Sequence, residues 1–260
     1  MKQLTPLHYV IGAGILFSLP TVPPIAQPAI AQIGATVKNV VQKPQGQFAQ
    51  RIVKYMEAKG YQISRKPGEI NIVYVEGADE DGTPNSNQSN HFNDRRIVLA
   101  YKNGQPEIVG NWMATVNPGV AYLGVNPKGL PHTMFGQYPA WQVGTHVGAS
   151  GGAGHEALIQ VASIKVIRAW TGMRPSNVEL EKGKTFDGNP TSVEAGEFGI
   201  NQHWGYDYSP DDISKASAGC LVGRTIEGHQ EFMAIVKSDP RYRQDSSYIF
   251  STTIIPGWKL

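Results

Sequence analysis

The 260-residue chain has one cysteine, a formal net charge of only +2 with 17% charged residues, no lysine- or arginine-rich run, and no internal repeat or low-complexity tract. Each shortage removes a class of function. A single cysteine cannot form an intramolecular disulfide. A near-neutral chain without a basic patch offers no electrostatic ground for a nucleic-acid partner. With 40% hydrophobic residues and no repeat, a disordered or fibrous protein is also excluded. The longest apolar run, from about Tyr9 to Leu19, is roughly half of the ~20 residues a membrane-spanning helix needs, and Pro20, Pro23 and Pro24 stop it.

That run follows Lys2 and leads to Ala29-Ile30-Ala31, a small-x-small cleavage pattern, so residues 1–31 are expected to be a secretory signal peptide. The mature protein is then exported to the periplasm or cell envelope, with no membrane span left after cleavage. Because the single cysteine lies far from the cleavage site, lipid anchoring through it is excluded. Export also gives Cys220 a meaning. In an oxidising compartment an unpaired cysteine is either an intermolecular bridge or a reactive thiol.

What the chain does have is glycine and proline, 29 and 18 of them, spread evenly enough to favour turns and short strands. The expectation is a mainly β fold, sandwich-like or barrel-like, with a few short peripheral helices. Residues 32–46, small and polar, read as a linker, and 47–260 as the catalytic domain. Phe48, Ile52, Tyr55 and Met56 fall at i, i+4, i+7 and i+8 before Gly60, which predicts a helix over Gln47 to Lys59. Strands are expected at Ile70 to Val75, Arg96 to Tyr101, Glu107 to Val116, Ala140 to Val147, Ala157 to Ala169, Gly199 to Trp204 and Tyr248 to Ile255, with Asn103-Gly104 as a hairpin turn. A second helix is expected over Thr225 to Lys237, closed by Asp239-Pro240. The loop from Asp79 to Asn90 is dense in oxygen side chains. It lacks the ending of a calcium loop and reads as a solvated turn.

The chemistry is concentrated in Phe198-Gly199-Ile200-Asn201-Gln202-His203-Trp204-Gly205 and, after a loop, Ser217-Ala218-Gly219-Cys220-Leu221-Val222. A thiol is a useful nucleophile only as thiolate, and a nearby imidazole both takes its proton and stabilises the charge. Ala218 and Gly219 allow the tight bend that aims main-chain N–H groups at a developing oxyanion. Ser217, Ala218 and Gly219 are therefore the expected turn and oxyanion residues.

These segments resemble the signature of the L,D-transpeptidase (YkuD-like) catalytic domain, in which a strand histidine precedes a Ser-x-Gly-Cys turn. The resemblance implies that Cys220 is the catalytic cysteine and His203 the catalytic histidine. It also implies a β-rich fold, peptidoglycan stem peptides as substrate, a thioester acyl-enzyme and no cofactor. The match departs from the common pattern at Trp204, Ala218 and Val222, where glycine, histidine and arginine are usual, with Arg224 two positions later. A variant found among phage and cyanobacterial proteins is similar over a longer stretch, including Gly136-Gln137-Tyr138, Gly144-Thr145-His146, Ala157-Leu158-Ile159-Gln160 and Val166-Ile167-Arg168. His146, Trp204, Arg168 and Arg224 are candidates to line the substrate groove, the arginines through the carboxylates of the substrate.

Three functions follow from this reading. The first is a cysteine acyl-transfer enzyme, a transpeptidase with an amine acceptor or a carboxypeptidase with water. The second is a peptidoglycan-binding protein that retains the fold without a full site. The third is a zinc-dependent peptidase or amidase built from His132, His146, His203 and Cys220.

Overall fold

A computed structural model describes residues 45–148, 154–169 and 193–260. The first element is helix α1, residues 45–58, which lays Phe48, Ile52 and Met56, all fully buried, onto a sheet. Gly60, at φ +70°, ends it in a left-handed turn closed by Tyr61 N–H donating to Met56 O at 2.9 Å. The expected linker therefore yields its last two residues, 45 and 46, to the helix. The expected signal peptide and the rest of the linker lie outside the described residues.

The strands are β1 (Ile70–Glu76), β2 (Asp94–Lys102), β3 (Gln105–Thr115), β4 (Leu130–Thr133), β5 (Gly136–His146), β6 (His155–Gln160), β7 (Ile164–Ala169), β8 (Glu194–Gly196), β9 (Gln202–Trp204), β10 (Leu221–Gly223) and β11 (Phe250–Pro256). Eight of them close into a barrel in the order β1-β11-β5-β6-β9-β10-β3-β2, while β4, β7 and β8 form a separate three-stranded sheet. The fold is mainly β. Closure removes the exposed edges that an open sheet would leave for aggregation. Two neighbour pairs, β1 with β11 and β9 with β10, run parallel.

Strand β1 shows why its sequence is apolar throughout. Ile72 and Tyr74 point into the barrel core, whereas Val73 and Val75 point outward against Phe48, Ile52 and Met56 of α1. Each fully buried side chain of this kind contributes roughly 1.5–3 kcal/mol of transfer free energy. The β2–β3 hairpin turns at Asn103 and Gly104, both at positive φ (52° and 75°), as the dipeptide predicts.

Helix α2 (Ile226–Ser238) starts at Thr225, whose hydroxyl accepts the Gly228 N–H, and places Phe232, Met233 and Val236 in the barrel core. Helix α2 stops at Asp239, its C-cap, as expected, and Asp239-Pro240 is also a second start. Asp239 caps the short helix α3 (Pro240–Gln244), and Pro240 stands in its first turn, where its missing N–H costs nothing. The single strand expected over Ala157 to Ala169 is two, because the chain leaves the barrel after Gln160 and joins the other sheet at Ile164. Gln160 secures this corner. Its Nε2 donates to Ala162 O and Gly196 O, and its Oε1 accepts from Phe198 and Ile200 N–H.

The loop from Asp79 to Asn90 is held by its own amides. Asn85 Nδ2 donates to Asp79 Oδ1 and Asn93 O, Asn87 Nδ2 to Glu76 Oε1, and Asn87 and Asn90 take positive φ. Its oxygens thus accept from N–H groups, as a turn requires. Among the described residues, no helix is long and apolar enough to cross a membrane.

Candidate functional site

Register brings His203 and Cys220 to one surface. In the parallel pair β9–β10, His203 lies opposite Val222 and Gln202 opposite Leu221. Side chains alternate along a strand, so Asn201, His203, Cys220 and Val222 share the outer face, while Gln202 and Leu221, both fully buried, point inward. The parallel pairing is what allows a loop of sixteen residues to separate two side chains that end as neighbours.

Cys220 closes a tight turn. Ser217 Oγ accepts the Gly219 N–H at 3.0 Å and donates to Cys220 O at 2.9 Å. Gly219 sits at φ +130°, and a Cβ there would lie 2.7 Å from Pro131 O, so glycine is required by both backbone conformation and space. The Gly219 N–H is therefore occupied by Ser217 and is not available to an oxyanion. The Cys220 N–H has no main-chain acceptor among the described residues.

The imidazole of His203 is held on one face and at one nitrogen. Its Nδ1 donates to Trp204 O at 2.7 Å, which leaves Nε2 without a proton. Its ring stacks on His146, with centroids 3.9 Å apart and 5° between planes. His155, opposite His146 in the β5–β6 register, stands edge-on to both rings, and its Nε2 accepts the Trp204 N–H at 3.3 Å. Below them, buried Arg96 donates to the carbonyls of His203 (3.0 Å) and Leu221 (3.4 Å), tying the two strands that carry the pair. It also bonds Tyr74 Oη and His229 Nδ1, and its guanidinium lies over the Phe232 ring.

Burial sets the charges. It pushes the Cys220 thiol up to about 11, against a hydrogen bond from the Asn201 N–H, and the thiol donates to Gly199 O at 3.6 Å. Burial holds His203 well below its usual value, with His146, His155 and Arg96 adding to the effect and the Trp204 carbonyl opposing it. His146 is pushed down to about 4 by burial and then by His155. His229, buried against Arg96, falls to about 3. At neutral pH the resting site is a neutral thiol beside neutral imidazoles.

Cys220, His203 and His146 line one cavity of roughly 480 Å³, whose remaining wall includes Tyr122, Tyr206, Tyr208, Lys215 and Ala218. Trp204 is one layer back, packed on Tyr206 and His155. The two candidate arginines lie elsewhere. Arg168 bonds Glu194 at 2.9 Å and covers Phe198, and Arg224 donates to Tyr208 O at 3.0 Å, supporting a wall residue rather than facing the cavity. Neither arginine lines the cavity. Among the described residues, the one formally charged side chain in the wall is Lys215. His132 is apart from the site, buried beside Glu76 at 3.4 Å. Among the described residues no three His, Cys, Asp or Glu side chains are grouped to hold a metal ion.

Sequence reasoning missed His155, His229, Arg96, the tyrosines and Lys215. No local motif marks them. His155 becomes visible only through its pairing with His146, and Arg96 reads as one more residue of a strand. Comparison with protein-family models, with curated proteins and with solved structures returns no match.

Proposed function

We propose that this protein is an exported cysteine acyl-transfer enzyme of the L,D-transpeptidase type, acting on peptidoglycan stem peptides as transpeptidase or L,D-carboxypeptidase. The observation that carries the reading is the convergence of Cys220 and His203 on one cavity, with the His203 proton held on Nδ1 by Trp204 O so that Nε2 is left to act as base. The substrate class rests on the resemblance of the His203 and Ser217–Cys220 segments.

In this mechanism Cys220 Sγ attacks the stem-peptide carbonyl while its proton passes to His203 Nε2. The C–S bond forms, the carbonyl oxygen takes the negative charge, and the Cys220 N–H is the donor that the turn leaves free for it. Collapse re-forms the carbonyl, breaks the C–N bond and returns the His203 proton to the departing amine. An amine or water then releases the acyl group from sulfur. Because the resting pair is neutral, proton transfer accompanies attack rather than preceding it.

The test is mass spectrometry of purified peptidoglycan incubated with the protein and with Cys220→Ala. New cross-linked or trimmed muropeptides that vanish in the variant support the enzyme and name its acceptor; products that survive the substitution remove Cys220 as nucleophile. A second reading, a peptidoglycan-binding protein without turnover, is favoured by the thiol being protonated and bonded to Gly199 O. Sedimentation with peptidoglycan whose muropeptides stay unchanged would select it.

A further inference from the structure

Main-chain groups settle which nitrogen of His146 carries the proton. The Gln160 N–H, which can only donate, bonds Asn201 Oδ1 at 3.0 Å, so the amide nitrogen Nδ2 is the atom that meets His146 Nδ1 at 3.0 Å. An amide nitrogen also only donates. His146 Nδ1 therefore accepts, and its proton lies on Nε2. His203 is the reverse, protonated on Nδ1 by the Trp204 carbonyl. The two stacked rings hold opposite tautomers, one presenting a lone pair and the other an N–H, on the wall of the same cavity.

The His146 Nε2–H has no acceptor among the described residues, and the buried histidine nitrogens without partners there belong to His132 alone. Nε2 of His146 is thus accessible from the cavity. The turn at Cys220, for its part, is short of donors, because Ser217 takes the Gly219 N–H. A developing oxyanion needs preorganised donors, commonly more than one.

We propose that His146 is a catalytic residue of the acyl transfer, donating its Nε2–H to the carbonyl oxygen of the acyl donor as that oxygen becomes an oxyanion. The inference rests on the reading of Cys220 as nucleophile. During attack the S–H proton goes to His203 Nε2, the carbonyl π pair goes to oxygen, and the oxygen accepts from His146 Nε2–H and Cys220 N–H. Collapse of the adduct returns the pair to the carbonyl and expels the amine with the His203 proton, leaving His146 unchanged. Neutrality of His146 is part of the design. A cation 3.9 Å from His203 would repel the imidazolium that forms there, whereas a neutral N–H stabilises the oxyanion without that penalty. Burial, which lowers the His146 pKa to about 4, keeps it neutral.

The experiment separates a reaction that forms an oxyanion from one that does not. Cys220 is acylated with p-nitrophenyl acetate and alkylated with iodoacetamide in the wild type, His146→Phe, His146→Gln and Cys220→Ala. His146→Phe keeps an aromatic ring for the stack and removes the donor, so the ratio of acylation to alkylation rate is expected to fall on the order of 10²-fold. His146→Gln, which keeps an N–H, is expected to recover part of it. An unchanged ratio in His146→Phe overturns the donor role alone, while wild-type acylation that persists in Cys220→Ala overturns the nucleophile and the donor together. Nitrogen-15 spectra of the unsubstituted protein give a check that does not depend on variant folding: a His146 proton on Nε2 supports the assignment, and one on Nδ1 overturns it.

Discussion

The imidazoles of His146 and His203 lie face to face, 3.9 Å apart and within 5° of parallel, although 57 positions separate them in the chain. Contact at this distance couples their titration, since protonating either ring raises the cost of protonating the other. Neither ring is charged at neutral pH. The chemistry of the site is therefore that of a neutral base beside a protonated thiol.

The thiol should show this directly. With burial raising Cys220 to about 11, the rate of alkylation by iodoacetamide is expected to climb steadily from about pH 7 to beyond about pH 10, following the thiolate fraction. A plateau reached below about pH 8 would mean that His203 already holds the proton at rest, contrary to its depressed basicity.

Stability should fall in mild acid. His146 and His229 have folded-state values of about 4 and about 3, below the ordinary 6.5, so between those limits the unfolded chain binds more protons than the folded one. The stabilisation is complete above about pH 6.5 and is lost as pH falls through about 4 for His146 and about 3 for His229. Thermal melts across that window are expected to show Tm dropping with pH, and His229→Gln should flatten the dependence. An unaltered slope in His229→Gln would remove that residue from the effect.

The turn before Cys220 should be intolerant in a graded way. Ser217→Ala deletes both buried hydrogen bonds of the hydroxyl and is expected to cost about 1–3 kcal/mol in urea denaturation. Gly219→Ala adds a Cβ against Pro131 at a φ of +130° and should cost more, with loss of Cys220 reactivity toward acyl esters. Equal or milder effects from Gly219→Ala would contradict the close approach described for Pro131.

Arg96 should behave as a clamp rather than a surface charge. Arg96→Met removes its donor bonds to the His203 carbonyl, the Tyr74 hydroxyl and His229 Nδ1 and one of the two donors to Leu221 O, so a loss of about 3 kcal/mol or more is expected. Arg96→Lys is not expected to rescue it, because an ammonium cannot reproduce the planar fork that reaches three strands and a helix. Arg168→Ala, by contrast, removes a partly buried ion pair with Glu194 outside the cavity and is expected to leave acylation of Cys220 within about twofold.

Much of the architecture was legible from local pattern. Helix α1 follows from the spacing of Phe48, Ile52 and Met56, the β2–β3 turn from Asn103-Gly104, and the start of α2 from Thr225, because capping and turn chemistry act over a few residues. Where the reading failed, competing long-range contacts were responsible. The corner after Gln160 is invisible in an apolar run, since it is made by a side chain bonding a loop some forty residues away. The stop of α2 before Pro240 was legible, but the short helix that Pro240 begins was not, since proline ends one helix and begins another with the same geometry. Arg168 and Arg224, proposed from residue type and from the resemblance, lie outside the cavity, because their partners Glu194 and Tyr208 are set by sheet pairing and loop path.

The sequence by itself determined a mainly β chain with one cysteine, a tight Ser217–Cys220 turn with small residues at Ala218 and Gly219, and the separation of strand from loop around His203, because these depend on residue type and short-range geometry. Tertiary structure alone decided that the barrel closes, that β9 and β10 pair in parallel so that His203 and Cys220 share a face, and that His146, His155 and Arg96 surround them. The physical reason is that tautomer, basicity and access to a cavity are properties of a side chain's surroundings, and those surroundings come from strands distant in the chain that meet only when the barrel forms.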